Sequence, residues 1–329
     1  MTLEHLECGL DLTYNWGYEK TRQDLRDLYK KAQRSQWNPD DTLPWSTDVD
    51  PAREGLFPEN LFPLYGWGPY TKLEARERSA LKVELMSWTL SQFLHGEQGA
   101  LLAASQLVTC VPDMDSKYYA STQVFDEGRH VEVYDRYLHE KVGFSYPVSP
   151  HLKQLLDLIL KDSRWDMKLL GMQIMVEGLA LAAFGLIRAS AEEPLIKKLT
   201  HYVMLDESRH VAYGVLSLKD HYRDMKESEV REREDFVYEA AVLMRNRFLF
   251  DQVWEKMGMP VEECKAYASE SESQQMFRQM LFSKIVPAIK KMGLLSPRQR
   301  ERFEALGILQ FESWADPFES LSDVEQQVA

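Results

Sequence analysis

Apolar residues in this chain recur every three to four positions over long stretches, and alternation of period two with β-branched residues is almost absent. That pattern predicts helices nearly throughout. The periodic runs cover roughly 72–110, 114–142, 164–191 and 194–224, followed by 227–257 and 272–292. Breaks fall at "CVPDMD", "VGFSYPVSP", "AEEPL" and "MGMPVEE", each with a proline, which ends a helix. Four consecutive helices well beyond the ~11–12-residue mean predict an all-α fold built on a helical bundle. Before them, a short polar helix starts near Asp24, and the Pro- and Gly-rich stretch to about Tyr70 predicts an extended wrap. The expected layout is an N-terminal helix and wrap over 1–71, the bundle over 72–292, and a C-terminal helix with a polar tail over 293–329.

Composition narrows the class. The 329 residues carry a net charge of -13 with no offsetting Lys/Arg cluster, which argues against a nucleic-acid surface. Part of the negative charge is available for cations. Cys8, Cys110 and Cys264 are scattered, odd in number and without metal-ligand spacing, as expected of free thiols in a reducing compartment. The N-terminus holds acidic residues where a secretory signal needs a basic start and an apolar run. No window reaches the ~18 uninterrupted apolar residues of a membrane span. A cytoplasmic location is expected.

The acidic residues within the long helices change the picture. Glu97 sits among Phe93, Leu94, Ala100, Leu101 and Ala104; Glu127 and His130 follow in the second helix. In the third, Glu177 is the sole acidic residue between Asp166 and Glu192, and the fourth carries Glu207 and His210. Successive glutamates are 30, 50 and 30 residues apart, so the pattern Glu, Glu-x-x-His occurs twice. A Glu and a His three apart share one helix face. Burying them is costly unless a cation returns the charge. Four carboxylates balance two divalent ions, and with two imidazoles they form the ligand set of dinuclear carboxylate bundles. His95, His139 and His201 do not share the ligand face, and His5, His151 and His221 are expected at the surface.

Asp126 and Asp206 precede the ligand glutamates, and Arg129 and Arg209 precede the histidines. A metal-bound imidazole usually donates its second N–H to a carboxylate. Crossed pairing, Asp126 to His210 and Asp206 to His130, would orient both rings, with the arginines neutralising the aspartates. Small residues near ligand level (Gly96, Ala100, Ala104, Gly178, Ala180 and Ala183), with Phe93, Met172, Met175, Leu181 and Phe184, suggest an apolar cavity over the metals.

On these residues the chain resembles the ferritin-like di-iron oxygenase and oxidase superfamily, closest to the ribonucleotide reductase small subunit and its ligand-binding oxidase relatives. "QWNPDD" resembles the Trp-x-Pro element before their first ligand helix. "FLHGEQGAL", "MVEGLAL" and "DESRHVAYG" resemble their first, third and fourth ligand segments. The likeness spans Trp37 to Gly214 and implies O2 activation at two Fe ions, with Mn-Fe possible, inside a ferritin-like four-helix bundle. Tyr134, four residues after His130, matches the redox tyrosine of radical-generating subunits. Trp37, Asp206 and His130 match those subunits' electron-transfer path. The chain departs at three points. The tail lacks the relay tyrosine. Ala100 and Met172 stand where the oxidases form a valine–tyrosine cross-link. Val203 stands where aryl-amine N-oxygenases carry a third histidine, four residues before the last glutamate.

The sequence therefore predicts a non-heme di-iron (or Mn-Fe) oxidoreductase that hydroxylates, desaturates or N-oxygenates a small or medium apolar molecule. Glu97, Glu127, His130, Glu177, Glu207 and His210 are the expected ligands, and Tyr134 is the expected catalytic side chain. Asp126, Asp206, Arg129, Arg209 and Trp37 surround them. No flavin, nicotinamide or iron–sulfur motif is present, so an external donor such as a ferredoxin or reductase is expected, and so is a homodimer. A radical-generating subunit and a ferroxidase or iron-storage protein are the alternatives.

Overall fold

The computed structural model describes residues 3–314, and within them every regular element is helical. Of the expected polar tail, residues 315–329 lie outside the described residues. Helix α1 (Gln23–Arg34) buries Leu25, Leu28 and Ala32 on one face. It is pinned where Asp115 accepts the Thr21 and Arg22 backbone N–H groups and the Arg26 guanidinium. The chain then runs over the bundle to about residue 74 through single-turn helices at Pro39–Thr42 and Gly68–Thr71.

The core is four long helices. Helix α2 (Ala75–Cys110) starts at a reciprocal cap between Glu74 and Glu77, and Val111-Pro112 ends it. Helix α3 (Met114–Tyr137) is capped by Asp113, whose carboxylate accepts the Ser116 N–H at 2.8 Å. A further helix, α4 (Pro150–Lys161), starts from Ser149 and Pro150, where the sequence pattern predicts a break. Helix α5 runs continuously from Trp165 to Ser190, but Leu170–Val176 are wound as a π-helix directly before Glu177. Helix α6 (Pro194–Leu218) is capped by Glu193, which accepts the Leu195 and Ile196 N–H groups.

Helix α2 packs along α3 and α5 along α6, with α3 facing α6. Glycine permits the close approach of α6 to the π-helical stretch. A Cβ on Gly214 would lie 2.8 Å from the Gln173 Cβ and 3.0 Å from the Ile174 Cδ1. Helix α5 is apolar and long enough to cross a membrane, yet 78% of its most apolar window is buried inside the protein, as expected of a bundle's central helix.

Helix α7 (Glu227–Asn246) follows and stops short of the predicted run to 257. Arg247–Leu249 form a tight turn and Phe250 adopts φ 57°, a left-handed conformation rare without glycine. The predicted run 272–292 also divides, into Glu272–Met280 and Ile285–Lys291. Pro297–Ala305 supplies the C-terminal helix.

Candidate metal centre

The four bundle helices bring Glu97, Glu127, His130, Glu177, Glu207 and His210 together at mid-bundle, each 5% exposed or less. Two groups of donor atoms result, Glu97, Glu127, His130 and Glu207 in one and Glu127, Glu177 and His210 in the other. Within each, the atoms lie within 4.8 Å of one another, and Glu127 belongs to both. The His130 Nδ1 lies 3.1 Å from Glu207, 3.4 Å from Glu97 and 3.5 Å from Glu127. The His210 Nδ1 lies 3.2 Å from Glu127 and 3.6 Å from Glu207.

The far side of each ring is tied down. The His130 Nε2 lies 3.0 Å from Asp206 and the His210 Nε2 lies 3.4 Å from Asp126, so each aspartate serves the other helix's imidazole. Arg129 donates to both Asp126 (2.6 Å) and Asp206 (2.8 Å), and Arg209 donates to Asp206. The Trp37 indole N–H also donates to Asp206 at 2.8 Å, with the Arg129 guanidinium 4.6 Å over its ring. Two aspartates and two arginines balance in charge and leave both Nδ1 atoms facing inward.

Buried polar atoms normally have a partner. Here the His130 and His210 Nδ1 atoms, Oε2 of Glu127 and Glu177, and both Glu207 oxygens have none. Orphan donor atoms on five of the six convergent, dry side chains are what a metal pair would satisfy, and hard carboxylates with imidazole suit Fe or Mn. The residues present fit a dinuclear metal site.

Protons occupy part of that role in the metal-free cluster. Burial, then the charge of Glu207, holds the Glu97 and Glu177 carboxyls well above the ordinary carboxylate range. Burial alone would lower His130, but its bond to Asp206 and the close Glu127, Glu207 and Glu97 carboxylates raise it well above the usual value. His210 is raised against burial too, chiefly by Glu127 and Glu207. Glu127 is depressed, because the two imidazoles outweigh its burial.

Tyr134 is fully buried between Phe93 and Phe184, with ring centroids 5.9 and 6.0 Å away, and its hydroxyl has no partner among the described residues. Burial, then the nearby Glu97 carboxylate, raises its pKa well above the ordinary value. Val203 is fully buried one turn before Glu207 and offers no donor.

Two side chains escaped the sequence reading. The Gln123 Nε2 donates to Glu127 (3.0 Å) and Glu177 (2.8 Å), and Gln173 donates to the Gln123 Oε1 (3.2 Å). The position of Gln123, four residues before Glu127 on one helix face, was a usable signal. Of the expected cavity lining, Phe93, Gly96, Ala100 and Ala180 border a narrow cleft that reaches Glu97, Glu177 and Glu207. The cleft is closed down to about 20 Å³, room for a single water. Gly178 is a packing position instead, since a Cβ there would lie 3.1 Å from Ile285. Met172, Met175, Ala183 and Phe184 belong to the packed core.

The family model described as P-aminobenzoate N-oxygenase AurF matches residues 18–293. No curated protein sequence matches the chain. Among solved structures, an R2-like ligand-binding oxidase with an aerobically reconstituted metal cofactor after photoconversion superposes with a TM-score of 0.51 at 15% identity, over 82% of this chain and 93% of that one. An R2-like ligand-binding oxidase with an aerobically reconstituted Mn/Fe cofactor covers 82% of this chain and 98% of its own, at 14% identity and a TM-score of 0.44. The first of these likenesses is one of fold, a ferritin-like helical bundle.

Proposed function

The chain belongs to the P-aminobenzoate N-oxygenase AurF family, and on that premise we propose an O2-dependent, non-heme dinuclear metal oxygenase that oxidises a small or medium apolar organic molecule. The observation that carries this reading is the convergence of Glu97, Glu127, His130, Glu177, Glu207 and His210 at mid-bundle, all but Glu97 with an orphaned, buried donor atom. Those six would hold two Fe ions, or Mn and Fe. When bound, the pair supplies the electrons for O2 reduction and the oxidising power applied to the substrate.

The chain's own residues set the conditions. Asp206 and Asp126 hold the imidazoles in the tautomer that leaves Nδ1 free for metal. Gln123 orients Glu127 and Glu177 from the side opposite their free oxygens. The wall of Phe93, Gly96, Ala100 and Ala180 keeps water from the reacting atoms. Trp37, half-buried and bonded to Asp206, begins a hydrogen-bonded path to His130 by which an external donor would deliver electrons.

Among hydroxylation, desaturation and N-oxygenation, the family description supports N-oxygenation of an amine. The donor set, six groups with Val203 adding none, sets this chain apart from aryl-amine N-oxygenases with a third histidine. The test is metal analysis of the wild type, Glu127→Ala and His210→Ala, with O2 uptake and product analysis on a panel of amines, acyl chains and arenes. About two metals per wild-type chain, lost in both variants, with an oxygenated amine as product, is the expected result. Full metal content in both variants would remove the site. A protein that consumes O2 only to oxidise added Fe(II) is a ferroxidase, and a stable tyrosyl signal serving another chain would mark a radical-generating subunit.

A further inference from the structure

The turn after α7 borders two separate cavities. Arg247 lines the metal cleft, whereas Arg245, Asn246 and Leu249 line a larger cavity of about 430 Å³. Its other walls come from the helices Val261–Glu270 and Glu272–Met280 and from the end of Pro297–Ala305.

Two arginines in these walls lack a counter-charge. Arg278 is only 7% exposed and donates to the Ala268 and Ser269 carbonyls, at 2.9 and 3.2 Å. Arg245 is half-buried, and its one hydrogen bond runs from Nε to the neighbouring Asn246 side chain at 3.3 Å. Most N–H groups of the two guanidinium forks are therefore left without a protein acceptor. Among the described residues neither arginine forms an ion pair. The single carboxylate in the lining, Glu304, is exposed and pairs with neither. Carboxylates are not scarce, since the chain has 52 acidic residues against 39 lysines and arginines. The buried Arg129, Arg209 and Arg233 each meet one.

Two guanidinium groups on one cavity also repel each other. Burial, then the charge of Arg245, lowers the Arg278 pKa. An anion between them would remove both penalties. Gln279 adds a third donor to the same wall. Its Oε1 accepts from Gln310 at 3.1 Å, while its Nε2 has no partner among the described residues. Gly307 adopts φ 73°, and a Cβ there would collide with that Nε2, so the glycine keeps the amide accessible.

We propose that this cavity binds a phosphomonoester, with its phosphate between Arg245 and Arg278 and its ester group in the remaining volume. The site is distinct from the metal centre and does not depend on the oxygenase assignment. A dianion answers two guanidinium groups, and the three free oxygens of a phosphate accept from both forks and from the Gln279 amide. A carboxylate, with two oxygens and one charge, satisfies one fork only. Glu304 faces solvent, where its charge is screened. The volume is that of a small-molecule site and exceeds what a bare phosphate fills.

The probes are glycerol 2-phosphate and glycerate, similar in size but unlike in their acidic group. Titration calorimetry on the metal-loaded protein in phosphate-free buffer compares wild type, Arg245→Gln, Arg278→Gln and the metal-site variant Glu127→Ala. Glycerol 2-phosphate should bind the wild type at least about 10-fold more tightly than glycerate, and each arginine substitution should weaken it about 10–100-fold, the range for a lost charge-assisted pair. Glu127→Ala should bind it as the wild type does. Without ligand, Arg245→Gln should melt no lower than wild type, because repulsion from Arg278 is relieved; a structural arginine would behave in the opposite way. If Arg278→Gln does not fold, its loss of the Ala268 and Ser269 carbonyl contacts being the reason, Arg245→Gln decides alone. No detectable binding of glycerol 2-phosphate to the wild type overturns the proposal, and so does undiminished binding in Arg245→Gln. Binding lost in Glu127→Ala alone would place the phosphate on the metals and overturn it too. Equal affinity for the two probes would overturn the phosphomonoester class.

Discussion

Replacing Gly214 by alanine tests whether the contact between α6 and the π-helical stretch fixes the site. In an open helix this change stabilises, because Ala is favoured over Gly by about 1 kcal/mol. At Gly214 the new Cβ would stand 2.8 Å from the Gln173 Cβ and 3.0 Å from the Ile174 Cδ1. Ile174 can move its tip, but the Gln173 Cβ is fixed to backbone, so the two helices must part by several tenths of an ångström. Overpacking of this kind costs ~1–3 kcal/mol, and a backbone-anchored contact belongs in the upper half. The net is a loss of about 1–2 kcal/mol, or a few degrees of melting temperature in a chain this long. The displacement would pass from Gln173 to Gln123 and so to Glu127 and Glu177, which Gln123 holds. Gly128→Ala is the control, since nothing lies within 4 Å of a Cβ there and it should stabilise. Denaturant melts of the metal-free proteins provide the measurement. A Gly214→Ala protein as stable as Gly128→Ala would refute the argument.

Four further outcomes follow from the geometry. Metal loading should release protons and tighten as pH rises, because Glu97, Glu177, His130 and His210 are all raised in the metal-free state and must bind metal deprotonated; metal titrations in dilute buffer with a pH indicator would show it, and loading without proton release would contradict it. In the metal-free protein the raised imidazoles stabilise the fold below ~6.5 and lose that contribution as pH climbs through their folded values, while Glu97 and Glu177 oppose folding above ~4.3. Glu127 and Asp206, both depressed, contribute above ~4 and lose it in acid, so melting curves should peak in mildly acidic solution rather than at alkaline pH. Tyr134→Phe should retain both metals, and electron paramagnetic resonance after O2 exposure should show at most a transient tyrosyl signal in the wild type; a long-lived signal abolished by Tyr134→Phe would favour a radical-generating subunit. Ala180→Leu, in the cleft wall, should keep its fold and metals while product formation falls or changes, whereas unfolding would assign Ala180 to helix packing.

What was legible in the sequence was whatever periodicity writes on one helix face. Glu97 and Glu177 are isolated acids in apolar helices, the Glu-x-x-His pairs repeat, and Asp126 and Asp206 stand where crossed bonding could reach the opposite imidazole, as observed. The periodicity hides α4 because Pro150 reads as a breaker, although after Ser149 a proline at the first helical position starts a helix. The end of α7 was misplaced because Phe250 takes a left-handed conformation that no local residue announces. Arg247 follows from that same turn, so nothing in the pattern marked it as a cleft residue. Gly178 was misjudged as cavity lining because small residues serve packing and cavities alike, and only the position of Ile285 separates the two.

The π-helical segment Leu170–Val176 gives the centre a property that residue identity alone does not carry. Each residue of an α-helix advances the side chain by about 100° around the axis. Seven residues wound more widely shift that phase, so the direction of Glu177 depends on how many residues precede it in the wide stretch as well as on which they are. Deleting one residue there lets the remaining six wind as an ordinary α-helix, which carries the chain almost as far round the axis as seven residues wound more widely. Inserting one has no such slack, and would turn Glu177 about 100° out of the cluster and away from Gln123. The metal centre is thus held in a reading frame of its own, with slack in one direction only.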